Sequence, residues 1–164
     1  MKKYFLFIFI VLVVSCNQKP ETAKSSASIE LFDEKTELDS IMHVIDNETK
    51  MFFAGNVEGW RASWSHKNYT SQAWNNSDGT ADVAKGWDAI NSQGSGWIVT
   101  YYKNGENVIH PDYKRSDIDI HFFSDSLAYL SWKQYNADKE KKYYRVSGES
   151  RIMEKEVDGW KIVN

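Results

Sequence analysis

Apolar and polar positions divide this chain into stretches of different character. Residues 4–14 are an unbroken apolar run behind Lys2 and Lys3, closing at Ser15 and Cys16. Residues 17–28, NQKPETAKSSAS, carry no apolar pattern at all. Beyond them apolar residues recur first at helical and then at strand spacing. Leu38, Ile41, Ile45 and Phe52 share one stripe, which predicts a helix over 37–54 ended by Gly55. Asn56 then caps a short helix over 57–65, whose Trp60 and Trp64 lie one turn apart. Residues 69–74 have strand composition, 75–79 (NNSDG) turn composition, and 81–85 return as a second strand. A third helix opens at Gly86-Trp87-Asp88-Ala89-Ile90 and runs toward Asn104-Gly105, with Gly94 and Gly96 weakening its middle. His110-Pro111-Asp112 is a connector.

From Arg115 the spacing changes to two. Ile118, Ile120 and Phe122 alternate with Asp117, Asp119 and His121. A three-residue loop at Ser124-Asp125-Ser126 places Ile118 opposite Trp132, Ile120 opposite Leu130 and Phe122 opposite Ala128. On the other face Asp117 meets Lys133 and His121 meets Tyr129. A two-residue loop, Ser124-Asp125, would mix the faces, so the longer loop is preferred. A turn at 139–142 leads into a third strand over 143–157, in which the phase of Ile152, Met153 and Val157 predicts a bulge. Asp158-Gly159 is a hairpin signal before the closing strand, 160–164.

The first stretch reads as a signal peptide: a charged start, a short apolar core and a small residue. It is too short for a membrane span, which needs about 20 apolar residues. Its end, Val13-Val14-Ser15-Cys16, resembles the bacterial lipoprotein lipobox. That resemblance implies that Cys16, the only cysteine, is lipidated and starts the mature protein. The expected organisation is a signal peptide over 1–15, lipidated Cys16 with a flexible tether to 28, and one domain over 29–164. The expected location is the bacterial cell envelope, on the periplasmic side or the outer membrane.

Charge narrows the partners. The whole chain carries 20 basic and 23 acidic side chains. The signal holds two of the lysines and no acid, leaving 18 against 23, or −5. A net acidic domain without a basic stripe is a poor fit for nucleic acid. His43, His66 and His110 lack metal-ligand spacing, and no phosphate loop or nucleophile elbow occurs. No metal or cofactor is expected.

Two helices, a hairpin, a Gly-x-Asp-Ala-Ile helix and a sheet ending in Asp-Gly-Trp-Lys-Ile resemble the nuclear transport factor 2-like superfamily, including its SnoaL-like and ketosteroid-isomerase-like domains. The carrying residues are 52–60 (FFAGNVEGW), 86–90 (GWDAI) and 158–162 (DGWKI), within roughly 38–164. Asn56 stands where many relatives have Asp, and the chain ends at Asn164 where many continue with a polar stretch containing His. The resemblance implies an α+β cone: about three N-terminal helices packed on a curved antiparallel sheet. It also implies an apolar pocket with one mouth and a convex face that commonly forms a homodimer. The fold hosts isomerases, dehydratases, hydrolases, binders and scaffolds, so it does not set the activity.

The seven tryptophans make an aromatic pocket one candidate and plain core filling the other. The expected lining is Ile118, Ile120, Phe122, Leu130 and Trp132 from the sheet, with Trp60, Trp64, Trp74 and Trp87 facing them. Gln134 and Asn136 continue that face toward the mouth, and Ser150 is a further candidate. Glu48 interrupts the helix stripe between Ile45 and Phe52. It is the candidate acid–base group, or else a stripe-edge carboxylate reaching water. His121 falls on the face opposite the apolar one. Three functions follow: a lipid-anchored binder of an apolar or aromatic small molecule, an isomerase, dehydratase or hydrolase using Glu48, or a dimeric interaction module.

Overall fold

The computed structural model describes residues 32–76, 78–101, 112–137 and 144–164, with only the backbone of residues 101 and 144. The signal segment, Cys16, the tether, the 104–105 break, residues 110–111 and the 139–142 turn lie outside the described residues. The described residues belong to one compact unit, Phe32–Asn164.

The elements run α1 (Glu34–Phe53), α2 (Val57–Arg61), β1 (Ser71–Asn75), β2 (Ala81–Lys85), α3 (Trp87–Tyr101), β3 (Asp112–Ser124), β4 (Leu127–Ala137), β5 (Tyr144–Glu156) and β6 (Gly159–Ile162). β1 and β2 form an antiparallel hairpin, and β3-β4-β5-β6 an antiparallel sheet in sequence order. The helices pack on the sheet, and the fold class is α+β.

Local chemistry sets the helix limits. Asp33 caps α1 by accepting from the Lys35 amide, so the helix starts three residues before the expected position 37. Gly55 ends it at φ 71°. Asn56 caps α2 through the Gly59 amide at 2.9 Å. α2 stops at Arg61, earlier than expected, because the chain then joins the sheet. Ser65 donates to the Ile162 carbonyl and Ile162 to that of Ser63, a parallel bridge that carries Trp64.

The register of β3 and β4 is the expected one at Ile120–Leu130, His121–Tyr129 and Phe122–Ala128. Two positions differ. Pairing shifts between Ser116 and Asp119, so Asp117 and Ile118 together oppose Trp132. Asp117 takes φ 54°, and Ile118 turns outward to 43% exposure rather than facing Trp132. Asp117 still meets Lys133, in an exposed ion pair of 2.8 Å. Phe123 forms a second irregularity, which lets Ser124 pair with Leu127 and shortens the loop to Asp125-Ser126.

The bulge expected in β5 is absent: pairing with β4 is continuous from Tyr144 to Glu154. Met153 is buried, Ile152 faces outward, and Val157 is exposed in the turn that precedes Gly159. That turn is Val157-Asp158, one residue earlier than expected, because Gly159 at φ 116° already pairs with Glu156. The inward residues of β5 are therefore Glu149, Arg151 and Met153, while Ser150 is exposed.

The core gathers Ile41 and Ile45 from α1, Trp60, Trp64, Ile90 and Ile98 from the other helices and the connector, and Leu130, Trp132, Met153, Trp160 and Ile162 from the sheet. Each such aliphatic side chain contributes about 1.5–3 kcal/mol by leaving water.

Candidate functional site

The expected sheet-lined pocket is filled by its own side chains. Leu130 is fully buried, Trp64 and Trp132 are 3% exposed, and Ile120 packs on the core. Trp132 lies between two guanidinium groups, Arg115 at 5.7 Å and Arg151 at 5.3 Å from its ring centre. Gln134 is bound within this layer. It accepts from Arg115 Nε and Trp132 Nε1 and donates to Asn136. Trp87 stacks on His66 with ring centres 3.9 Å apart. None of these residues lines the cleft described next.

That cleft, about 460 Å³, opens where α1, α2, β1 and α3 converge near the start of β5. Three elements each aim a polar and an aromatic side chain at it. α1 supplies Glu48 and Phe52, four residues apart on one face. β1 supplies Gln72 and Trp74, two apart and thus on one side of the strand. α3 supplies Gln93 and Trp97, again four apart, with Gly94 between them. Trp60, Asn75, Asn76 and Arg145 complete the lining. Of the residues expected at a site, Glu48, Trp60 and Trp74 meet here.

Glu48 is half-buried and its carboxylate is bonded. Oε1 accepts from Trp60 Nε1 at 2.9 Å, and the Thr49 hydroxyl lies 3.4 Å from Oε2. The indole N–H of a tryptophan that is 1% exposed needs an acceptor, so each group answers the other's desolvation. Trp60 reaches Glu48 because α3 has no side chain where the ring passes. A Cβ on Gly94 would fall 2.2 Å from Trp60 Cη2.

Trp74 is fixed as well. Its Nε1 donates to Asn76 Oδ1 at 3.1 Å, and Asn76 donates in turn to Asp82 at 2.7 Å and to Thr80. In contrast, the side chains of Gln72, Asn75, Gln93 and Arg145 make no hydrogen bond or ion pair to a described residue. The site thus combines two anchored indoles with several free amide groups.

Sequence reading missed Gln72, Asn75, Asn76, Gln93, Trp97 and Arg145. The signal was present in the spacings Gln72/Trp74 and Gln93/Trp97, which fit the periods of their elements. Gly94 looked like a weak point in a helix and is a contact surface for Trp60.

A larger cleft, about 640 Å³, lies between the outer side of α1 and the β5–β6 turn. Most of its charged groups are already matched, Asp39 being the exception among the carboxylates. Glu37 accepts from Lys155 Nζ at 2.7 Å and Trp160 Nε1 at 2.6 Å, and Lys161 bonds the Ala62 carbonyl and Asp158. The Lys155 ammonium, with Trp160, holds the Glu37 carboxyl below its ordinary range. This cleft carries one large aromatic side chain, Trp160, and that indole N–H is taken by Glu37.

No protein-family model matches the chain, and no curated protein matches it in sequence. Solved structures do match in shape. An NTF2-like protein of unknown function from Shewanella oneidensis is 15% identical at a TM-score of 0.54, covering 77% of this chain and 93% of that one. The association domain of CaMKII from Caenorhabditis elegans is 15% identical at 0.59, over 79% and 93%. A candidate dehydratase of the NTF2-like family from Streptomyces avermitilis is 10% identical at 0.58, over 80% and 94%. With its helices packed on a four-stranded antiparallel sheet, this chain has the nuclear transport factor 2-like fold.

Proposed function

We propose that this protein binds a small molecule in the cleft formed by Glu48, Trp60, Trp74, Gln93 and Trp97, at a bacterial envelope membrane to which a lipid on Cys16 ties it. One observation carries the reading: α1, β1 and α3 each turn a polar and an aromatic side chain into the same 460 Å³ cleft. The volume is in the range of small-molecule sites, and aromatic walls with a few oriented polar groups are their usual chemistry. The cleft differs from the apolar sheet-lined pocket the sequence led one to expect, because Leu130, Trp132 and Ile120 are used by the core.

An enzyme that moves a proton with Glu48 is the second reading, supported by the half-buried carboxylate on the cleft wall. A developing oxyanion would need a donor such as Gln134 or a tryptophan N–H. Gln134 is committed to Arg115, Trp132 and Asn136, and the cleft indoles of Trp60 and Trp74 donate to Glu48 and Asn76. Binding is therefore the better-supported function. Equilibrium dialysis of an envelope small-molecule extract against wild type and Trp74→Ala tests it. The reading expects a compound that wild type concentrates and the variant does not; equal partition of every compound would refute it.

A separate surface supports self-association. His121, Tyr129 and Ile152 form a row across β3, β4 and β5 on the outer face of the sheet, beside Phe123, which is 62% exposed. The likeness to association domains supports a homodimer, for which this face is the proposed surface. Sedimentation of wild type against Tyr129→Glu is the test, with a wild-type monomer counting against it.

A further inference from the structure

The chemistry of the cleft narrows the class of its ligand. We infer that it takes a neutral saccharide, an inference that rests on the small-molecule reading above. Charge is the first argument. Among the described lining residues Glu48 is the single carboxylate and Arg145 the single guanidinium, so the formal charges offset and neither an anion nor a cation is favoured.

The polar groups supply the second argument. Four of the lining residues, Gln72, Asn75, Asn76 and Gln93, are carboxamides. A carboxamide offers a donor and an acceptor side by side, and each sugar hydroxyl needs both. Asn76 is occupied with Trp74, Thr80 and Asp82, whereas Gln72, Asn75 and Gln93 have no described partner. An apolar ligand would leave the half-buried Gln72 and Gln93 amides dehydrated and unmatched, at a cost for each.

The third argument is the placement of the aromatics. Trp74 is half-buried and Trp97 is 40% exposed, so both indoles present surface to the cleft rather than to the core. A pyranose has an apolar C–H face and a polar rim. Its face suits an indole plane, and its rim meets the amide that each of β1 and α3 sets beside that indole, two residues away on the strand and four on the helix. Trp74 is held by Asn76 before any ligand arrives, which lowers the ordering cost of binding. A single lining carboxylate suits recognition, since glycoside hydrolysis ordinarily uses a pair.

The test is ligand-observed saturation-transfer NMR on the full chain in a sugar-free polyoxyethylene detergent. The probes are glucose, galactose, N-acetylglucosamine, cellobiose, lactose and chitobiose at millimolar concentration, with the uncharged apolar dye N-phenyl-1-naphthylamine alongside. Wild type should bind at least one sugar. Gln93→Ala, which removes a cleft amide with no described partner from a helix, should weaken that sugar roughly tenfold, about one hydrogen bond's worth, and Trp74→Ala should abolish it. Dye binding that Trp74→Ala weakens, with no sugar bound, would overturn the saccharide class and leave the small-molecule reading standing. Neither sugar nor dye bound would overturn both. Sugar binding that both variants retain unchanged would place the saccharide elsewhere and overturn the inference.

Discussion

Trp60 lies so close to Gly94 that a Cβ there would sit 2.2 Å from Cη2 of the indole ring. The same ring donates Nε1–H to Glu48 at 2.9 Å. A missing side chain on α3 thereby sets the position of a carboxylate on α1.

Gly94→Ala should therefore destabilise the protein. Overpacking costs about 1–3 kcal/mol, and the gain in helix propensity of up to ~1 kcal/mol does not offset a clash with a fixed ring. Gly96, two residues on in the same helix, has nothing within 4 Å of its would-be Cβ. Gly96→Ala should stabilise by about 0.5–1 kcal/mol. Urea titrations of the two variants should move in opposite directions, and equal shifts would refute the packing account.

Glu48→Gln and Glu48→Ala separate structure from chemistry. Gln keeps an acceptor for the Trp60 N–H, so thermal stability should change little. Ala leaves that N–H buried and unpaired, at about 1–3 kcal/mol. If the cleft only binds, Glu48→Gln should retain ligand with modest loss. A turnover found in wild type and gone in Glu48→Gln would instead establish the enzyme.

Acid should loosen the packing of the connector and of α1 on the sheet. Lys155 with Trp160 holds Glu37 below its ordinary value of 4.5, and Lys67 with Tyr69 does the same for Glu154. A carboxyl whose folded value is lowered adds stability that is complete above the unfolded value and is lost as pH falls through the folded one. The urea midpoint should hold above about pH 4.5 and drop below it. Glu37→Gln should start lower at neutral pH and decline less on acidification. A variant that parallels wild type at every pH would contradict the assignment.

Asp117 holds φ 54° in the β3 bulge, where its ion pair with Lys133 is well exposed on both sides. Asp117→Asn should be nearly neutral, since exposed pairs contribute under about 1 kcal/mol and Asn tolerates this conformation. Asp117→Val should cost about 1–3 kcal/mol from backbone strain. Comparable unfolding midpoints for the two variants would show that the backbone does not matter there.

Periodicity made much of this architecture legible. The stripe of Ile41 and Ile45, the β1–β2 hairpin and the register at Ile120–Leu130 could all be read from spacing, because each element follows its own period over several residues. The bulge at Asp117-Ile118 could not, since one extra residue reverses the facing of every residue before it without leaving a mark in composition. β5 has no bulge where its phase predicts one: the strand buries Glu149 and Arg151 in part, and these mimic an outward face. At the cleft, Glu48 could be singled out because it interrupts the helix stripe, and Trp60 and Trp74 because the chain is rich in tryptophan. Gln72 and Gln93 look like ordinary surface amides until β1 and α3 bring them together.

The most direct test of the central claim is native mass spectrometry of the full chain released gently from detergent, wild type beside Trp74→Ala. A small-molecule reading of the cleft predicts extra mass on the wild type, lost on denaturation and missing from the variant. Wild type with no bound mass after incubation in envelope extract, or the same mass retained by Trp74→Ala, would contradict it.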